Sequence, residues 1–248
     1  MKKFSYSFLS ISLLSIFCLI FVSSCEDKIE TFDLAKGLEY FPTEQGFWLE
    51  YKVDSVLYSP LRTNGKDTVS MQMREVFGQV FFDNEGREAI TIERYVRPNQ
   101  SIAWKDVTPT IWYAVRTDDQ VERVEGDLRF MKLIFPVFEG RIWDGNTFIN
   151  TDDPRLRDYR DWNYEYIEVA GNASLNGLSF AETLTVSQID REDLVNKTFA
   201  IETYAKNVGL IKKEEWILKR NDTNSSDDWP QRAETGYLTV ITLTDYKQ

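Results

Sequence analysis

Past Tyr40 the chain alternates apolar and polar residues with period two, the mark of strands buried on one face. Leu49, Tyr51, Val53 and Leu57 interleave with Glu50, Lys52 and Asp54; Leu178, Phe180, Leu184 and Val186 interleave with Ser179, Thr183, Thr185 and Ser187. Further β-rich runs cover about 69–82, 88–96, 110–116, 127–135, 163–170, 198–205, 210–219 and 237–244. Tyr237 to Leu243 is apolar on both faces and is expected in the middle of a sheet. Turn-forming groups tolerant of positive φ separate these runs: Asn64-Gly65, Asp83 to Gly86, Asp144-Gly145-Asn146, Asn176-Gly177 and Asn207-Val208-Gly209. Short turns between successive strands make neighbours antiparallel. Helical turns are expected only around Thr31 to Lys36 and Arg191 to Val195, and the longest irregular stretches lie at about 144–161 and 221–235. The pattern therefore predicts an all-β, single antiparallel domain of about eight to eleven strands over residues 40–248, built as a strongly curved sheet or partly open barrel. A two-sheet β-sandwich is the alternative.

The N-terminus follows a different rule. Met1, Lys2 and Lys3 precede a run from Phe8 to Val22 in which every residue is apolar, Ser or Cys. It is shorter than the roughly 20 residues of a spanning helix and suits a signal-peptide core. It ends in Val22-Ser23-Ser24-Cys25, which resembles a lipobox, so cleavage is expected between Ser24 and Cys25 with lipidation of Cys25. The alternative is a chance cysteine after an ordinary signal peptide. Residues 1–24 are then the signal peptide and 25–39 the lipidated N-terminus and tether. No later segment reaches transmembrane length, and the several acyl chains of such a modification exceed the single chain that anchors only marginally. Glu26-Asp27-Lys28 resembles the acidic export signal of surface lipoproteins in the Bacteroidetes; an ordinary solvated linker is the other reading.

Composition narrows the chemistry. The chain has 248 residues with 42% hydrophobic and 28% charged, enough to bury a core. With 29 basic residues, less Lys2 and Lys3, against 40 acidic ones, the remainder carries a charge near −13. Nothing is left in excess to neutralise a phosphate backbone, which argues against nucleic acid as a partner. No histidine is present, which removes the commonest general base and zinc ligand. Cys18 leaves with the signal peptide and Cys25 carries lipid, so disulfides, thiolate metal sites and cysteine nucleophiles are not expected, and no cofactor motif occurs. Gly177-Leu178-Ser179-Phe180-Ala181 looks like a nucleophile elbow but lacks the histidine it needs. Asp144-Gly145-Asn146 and the series Asp152, Asp153, Asp158 and Asp161 could ligate calcium through oxygen, but Phe148 stands where a third loop ligand would fall; solvated loop charge is the preferred reading, and no metal site is expected.

Aromatic residues make up 14% of the chain, with seven tryptophans. Trp143, Tyr159, Trp162, Tyr164 and Tyr166 gather around the Asp-rich stretch. Stacking faces from Trp143, Tyr159 and Trp162 with acceptors from Asp158 and Asp161 would suit a small glycan or another planar or apolar ligand. Alternatively, Trp162, Tyr164 and Tyr166 share one strand face and pack against a neighbour. Asp54-Ser55-Val56 and Asp67-Thr68-Val69 resemble the Asp-Ser/Thr-apolar acceptor motif of Bacteroidetes O-glycosylation, making Ser55 and Thr68 candidate sites.

Tyr40 to Tyr51 (YFPTEQGFWLEY), followed by Val53-Asp54-Ser55, and Tyr204 to Ile211 (YAKNVGLI) resemble the opening and closing signatures of uncharacterised Bacteroidetes lipoproteins. The resemblance implies an envelope location and a β-rich fold, and no activity. Three functions stay open: an outer-membrane-anchored, non-catalytic binding or accessory module; a docking protein in envelope assembly; and a glycoside hydrolase using paired carboxylates. The membrane, through the lipid, is the expected partner, with the domain facing the periplasm or the cell surface.

Overall fold

The computed structural model describes residues 36–221 and 228–247. Twelve antiparallel strands form one sheet: β1 (Trp48–Tyr58), β2 (Lys66–Phe82), β3 (Glu88–Arg97), β4 (Thr110–Arg116), β5 (Gln120–Glu125), β6 (Leu128–Ile134), β7 (Ile142–Asp144), β8 (Asn163–Leu175), β9 (Leu178–Glu192), β10 (Asn196–Ala205), β11 (Gly209–Lys219) and β12 (Thr235–Lys247). Their order is 6-5-4-3-2-1-12-11-10-9-8-7, so every strand neighbours the next in sequence except across one place. The first and last strands pair in the middle of the sheet, and the free edges belong to β6 and β7, in the middle of the chain. The sheet curls into a nearly closed barrel with one seam unjoined by a strand ladder.

The partly open barrel expected from the alternation is therefore the architecture. β12 lies centrally, between β1 and β11, as its two-sided apolar run required. The expected turns at Asn64-Gly65, Asn176-Gly177 and Asn207 to Gly209 hold positive φ at Asn64 (62°), Asn176 (51°), Asn207 (60°), Gly177 (84°) and Gly209 (94°). The sequence reading needs three corrections. β5 and β7 are additional strands, and Arg191 to Val195 is the end of β9 and a turn, not helical. Asp144-Gly145-Asn146 is no positive-φ turn: Gly145 is required because a Cβ there would lie 2.4 Å from the Tyr164 ring.

One end of the barrel is plugged. Lys36 to Phe47 crosses it, with Asn207 N–H donating to Glu39 O (2.8 Å) and Arg116 Nη1 donating to Phe41 O (2.7 Å). Tyr40, Phe41 and Phe47 are buried there, and Phe77 packs its ring 5.6 Å from that of Phe47 and 6.1 Å from that of Phe41. The other end is bordered by the longer connections at 59–65, 98–109 and 145–162.

Candidate functional site: an ionic chamber inside the barrel

The predicted aromatic site serves another purpose. Trp143 (8% exposed), Trp162 (2%), Tyr164 (0%) and Tyr166 (0%) lie in the core, because positions 162, 164 and 166 repeat on the inner face at the start of β8. A chain of ring contacts runs from Phe130 through Tyr159, Trp162, Tyr164 and Trp143 to Tyr166, with centroids 4.6 to 6.5 Å apart. This chain lies along the seam and stitches it. Trp143 Nε1 donates to Met131 O (2.9 Å), Met131 N–H donates to Gly145 O (2.8 Å), and the Tyr166 hydroxyl bridges the N–H and C=O of Ile134 (2.9 and 2.7 Å). The two indoles thus offer no free stacking platform. Trp162 Nε1 donates to Asp158 O (2.7 Å), while the Asp158 carboxylate pairs with Lys219 (3.1 Å). Asp161 is exposed with φ 61° and lines, with Tyr159, Arg160 and Asn146, a shallow hollow of about 240 Å³.

Of the other predicted positions, Ser55 is half-buried with its hydroxyl 3.0 Å from Thr239 Oγ1, whereas Thr68 is exposed on β2. Ser24, Cys25 and the signal peptide lie outside the described residues.

The feature that sequence reasoning missed is a layer of charge within the barrel. Glu75 (β2), Arg94 (β3), Arg123 and Glu125 (β5), Lys132 (β6), Glu202 (β10) and Lys213 and Glu215 (β11) face one another, four anions against four cations. Register explains their orientation: Glu75 follows Met71 and Met73 on the inner face, and Arg94 sits opposite Glu75. Lys132 and Glu202 join strands that are not neighbours, Nζ to Oε1 2.9 Å, with side chains 4% and 2% exposed. Lys132 also meets Glu125 (3.5 Å), Lys213 meets Glu215 (2.8 Å) and Glu202 (3.8 Å), and Arg123 ion-pairs with Glu75. Trp112 lies between two guanidinium groups, Arg94 at 4.0 Å and Arg123 at 5.2 Å from its ring centroid.

Burial alone would push the carboxyls of Glu125, Glu202 and Glu215 up. The neighbouring lysines, with Arg123 beside Glu125, outweigh that and hold all three below the ordinary glutamate range. Arg94 is lowered, chiefly by burial. Burial and the nearby Glu202 carboxylate raise the Tyr204 phenol, which donates to Glu202 Oε2 (2.5 Å). A hydrolytic carboxylate pair needs one acid kept protonated. Glu125, Glu202 and Glu215 are tuned the opposite way.

Glu75 Oε2 is buried without a hydrogen bond and needs a donor, whereas Arg123 Nε makes no hydrogen bond but lies 3.2 Å from Glu125 Oε1 in an ion pair. Both residues line a cavity of about 60 Å³, together with Met73, Trp112, Tyr204 and Lys213. The chamber reaches solvent through side chains that are partly exposed: Arg94 20%, Glu125 19% and Lys213 18%. On the way out the inner face turns apolar. Val69 and Leu57 continue the inward positions of β2 and β1, and Val96 stands opposite Met73; they are 47%, 44% and 43% exposed.

On the outer face, residues 98–109 fold over β1 and β2. Trp104 Nε1 donates to Glu50 Oε1 (3.1 Å), and Arg74 lies over the rings of Trp48 and Trp104.

No family model matches the chain, and no curated protein matches it. Solved structures do. One is described as an exported protein with a YmcC-like fold from Bacteroides fragilis, 10% identical over 84% of this chain and 98% of that one, TM-score 0.40. A protein described as a lipoprotein from Parabacteroides distasonis is 13% identical over 84% and 98% of the two chains, TM-score 0.38. A structure described as an outer membrane lipoprotein-sorting protein domain, from Vibrio parahaemolyticus, is 11% identical over 85% and 91% of the two chains, TM-score 0.19.

Proposed function

We propose that the chain is an envelope lipoprotein, held to the outer membrane by lipid on Cys25, whose barrel is a non-catalytic binding module with its ligand site in the ionic chamber. The observation that carries this reading is Glu75 Oε2, a buried carboxylate oxygen with no hydrogen bond, at the edge of the cavity. A buried polar atom without a partner costs about 1–3 kcal/mol, so a chamber that keeps Glu75 Oε2 bare is suited to a molecule that donates to it. A stability role explains the layer less well, since replacing buried ion networks by apolar residues is often neutral or stabilising.

The test uses the full chain, incubated with a small-molecule extract of bacterial envelopes, washed, and weighed intact by native mass spectrometry. A retained compound that is lost in Glu75→Gln supports the reading. A protein that stays empty, or one whose bound compound is indifferent to Glu75→Gln, contradicts it.

A further inference from the structure

We infer that the protein carries a second ligand site, for a neutral oligosaccharide, in a cleft on the outer face of the barrel where the connection 98–109 begins to fold over β1, β2 and β12. The site is separate from the chamber. Its volume of about 740 Å³ falls within the range of small-ligand sites, about 300–1,000 Å³, and suits a ligand of about two or three sugar rings.

Wall and floor are both fixed by the fold. Residues 98–101 form the wall, and Trp104 holds their connection down: its ring meets the guanidinium groups of Arg97 (3.8 Å to the centroid) and Arg74 (5.3 Å), and its Nε1 donates to Glu50 Oε1 (3.1 Å). Arg97 Nη1 adds a bond to Ile102 O (2.7 Å). The floor depends on a bulge. Glu50 stands opposite Asp245 but Tyr51 stands opposite Leu243, so Thr244 is one residue too many for the ladder. Leu243 is buried and Tyr246 packs against the core, so Thr244 and Asp245, though consecutive, are both exposed and both line the cleft, which regular alternation would not allow. Bulges of this kind re-aim side chains beside binding sites.

The polar atoms decide the ligand class. Gln72 Oε1 accepts from Arg97 Nε (2.8 Å) and Asn99 Oδ1 from Ser101 N–H (2.9 Å), so each amide is oriented with its NH2 left to donate. Glu50 Oε1 accepts from Arg74 and Trp104, and Asp245 Oδ1 from Tyr246 N–H (2.9 Å), which leaves the second oxygen of each carboxylate to accept. A hydroxyl group donates and accepts at once, so the hydroxyls of a sugar satisfy this mixed set, whereas a ligand of acceptors alone, such as a phosphate, satisfies only the amides. Charge agrees. Glu50 is paired with Arg74 and Lys52 with Asp54, so an anionic ligand would meet the Asp245 carboxylate with the neighbouring cations already engaged, and a neutral ligand avoids that repulsion. Pro98 and Met71 add apolar surface for the C–H faces of the rings.

The experiment presents the full chain, in detergent micelles, to a printed array of neutral oligosaccharides that also carries uronic-acid oligosaccharides, and then titrates the best-retained neutral compound by calorimetry. Neutral members are expected to be retained and acidic ones to be retained less. Asn99 and Asp245 are both exposed, so Asn99→Ala combined with Asp245→Ala leaves the core untouched and should weaken the titrated compound at least about tenfold. Retention of no neutral saccharide, equal binding by the double variant and the parent, or a preference for the acidic members would each overturn the inference. A saccharide that is lost in Glu75→Gln and indifferent to the double variant would lie in the chamber; the cleft would then be wrong and the proposed function would stand.

Discussion

The Tyr166 hydroxyl accepts a hydrogen bond from Ile134 N–H at 2.9 Å and donates one to Ile134 O at 2.7 Å. A single side chain on β8 thereby satisfies both backbone groups of an edge residue on β6, as a paired strand would. Unpaired edges invite pairing with other chains. Here the seam of the barrel is closed to that by side chains of the molecule itself.

Tyr166→Phe keeps the ring and removes this bridge, leaving the Ile134 groups unpaired. Unfolding in urea should show a loss of about 1–3 kcal/mol, and hydrogen exchange should speed up at Ile134 before it does at β1 and β12. Unchanged exchange at Ile134 would show that the seam is held elsewhere.

Gly145 lies at the same seam, its carbonyl accepting from Met131 N–H and its Cα so near Tyr164 that a Cβ would stand 2.4 Å from the ring. Gly145→Ala should cost about 1–3 kcal/mol through overpacking, seen as a melting temperature lower by several degrees. A melt identical to the parent would mean that β7 shifts without penalty.

The chamber should make stability depend on acid. Glu125, Glu202 and Glu215 have carboxyls held below their ordinary value of about 4.3, so their contribution is present above that value and is lost as pH falls through the lower folded values. Lys213, raised by Glu215, Glu125 and Glu202 against the opposing effect of burial, works in the other direction: its contribution is intact at neutral pH and lost only above about pH 10. Urea unfolding at a series of pH values should therefore show stability level near neutrality and declining from about pH 5 downward, with a smaller slope in Glu125→Gln. Lys132→Met, which strands Glu202 without its cross-barrel partner, should cost about 3–5 kcal/mol at neutral pH.

The proposed lipid on Cys25 can be tested independently of the barrel. Cells fed a clickable palmitate should label the protein, and Cys25→Ala should abolish the label; persistent labelling of that variant would move the anchor to another residue.

The fold was legible where alternation is clean, and the places where it failed share a cause. β5 reads Gln-Val-Glu-Arg-Val-Glu, and its inner positions include Arg123 and Glu125, so the apolar phase that marks a strand is missing. β7 is three residues long, too short for any period to register. The ionic chamber was hidden because charged residues in strands read as solvated. The signal was nonetheless present: Glu75 falls in phase with Met71, Met73 and Phe77, Glu202 with Ala200 and Tyr204, and Lys213 with Ile211 and Ile217. A charge that takes an apolar turn in a period-two series is a buried charge. Trp143 and Trp162 misled in the opposite sense, since tryptophans beside an Asp-rich loop resemble a platform until the seam places them inside.

The claim that the barrel encloses a binding chamber is tested most directly by the density beside Glu75 Oε2 in a high-resolution crystal structure of the chain purified from its native envelope. The account expects an ordered non-protein molecule donating a hydrogen bond to Glu75 Oε2. Glu75 Oε2 bonded instead to another side chain of the protein, with the cavity collapsed, would contradict it.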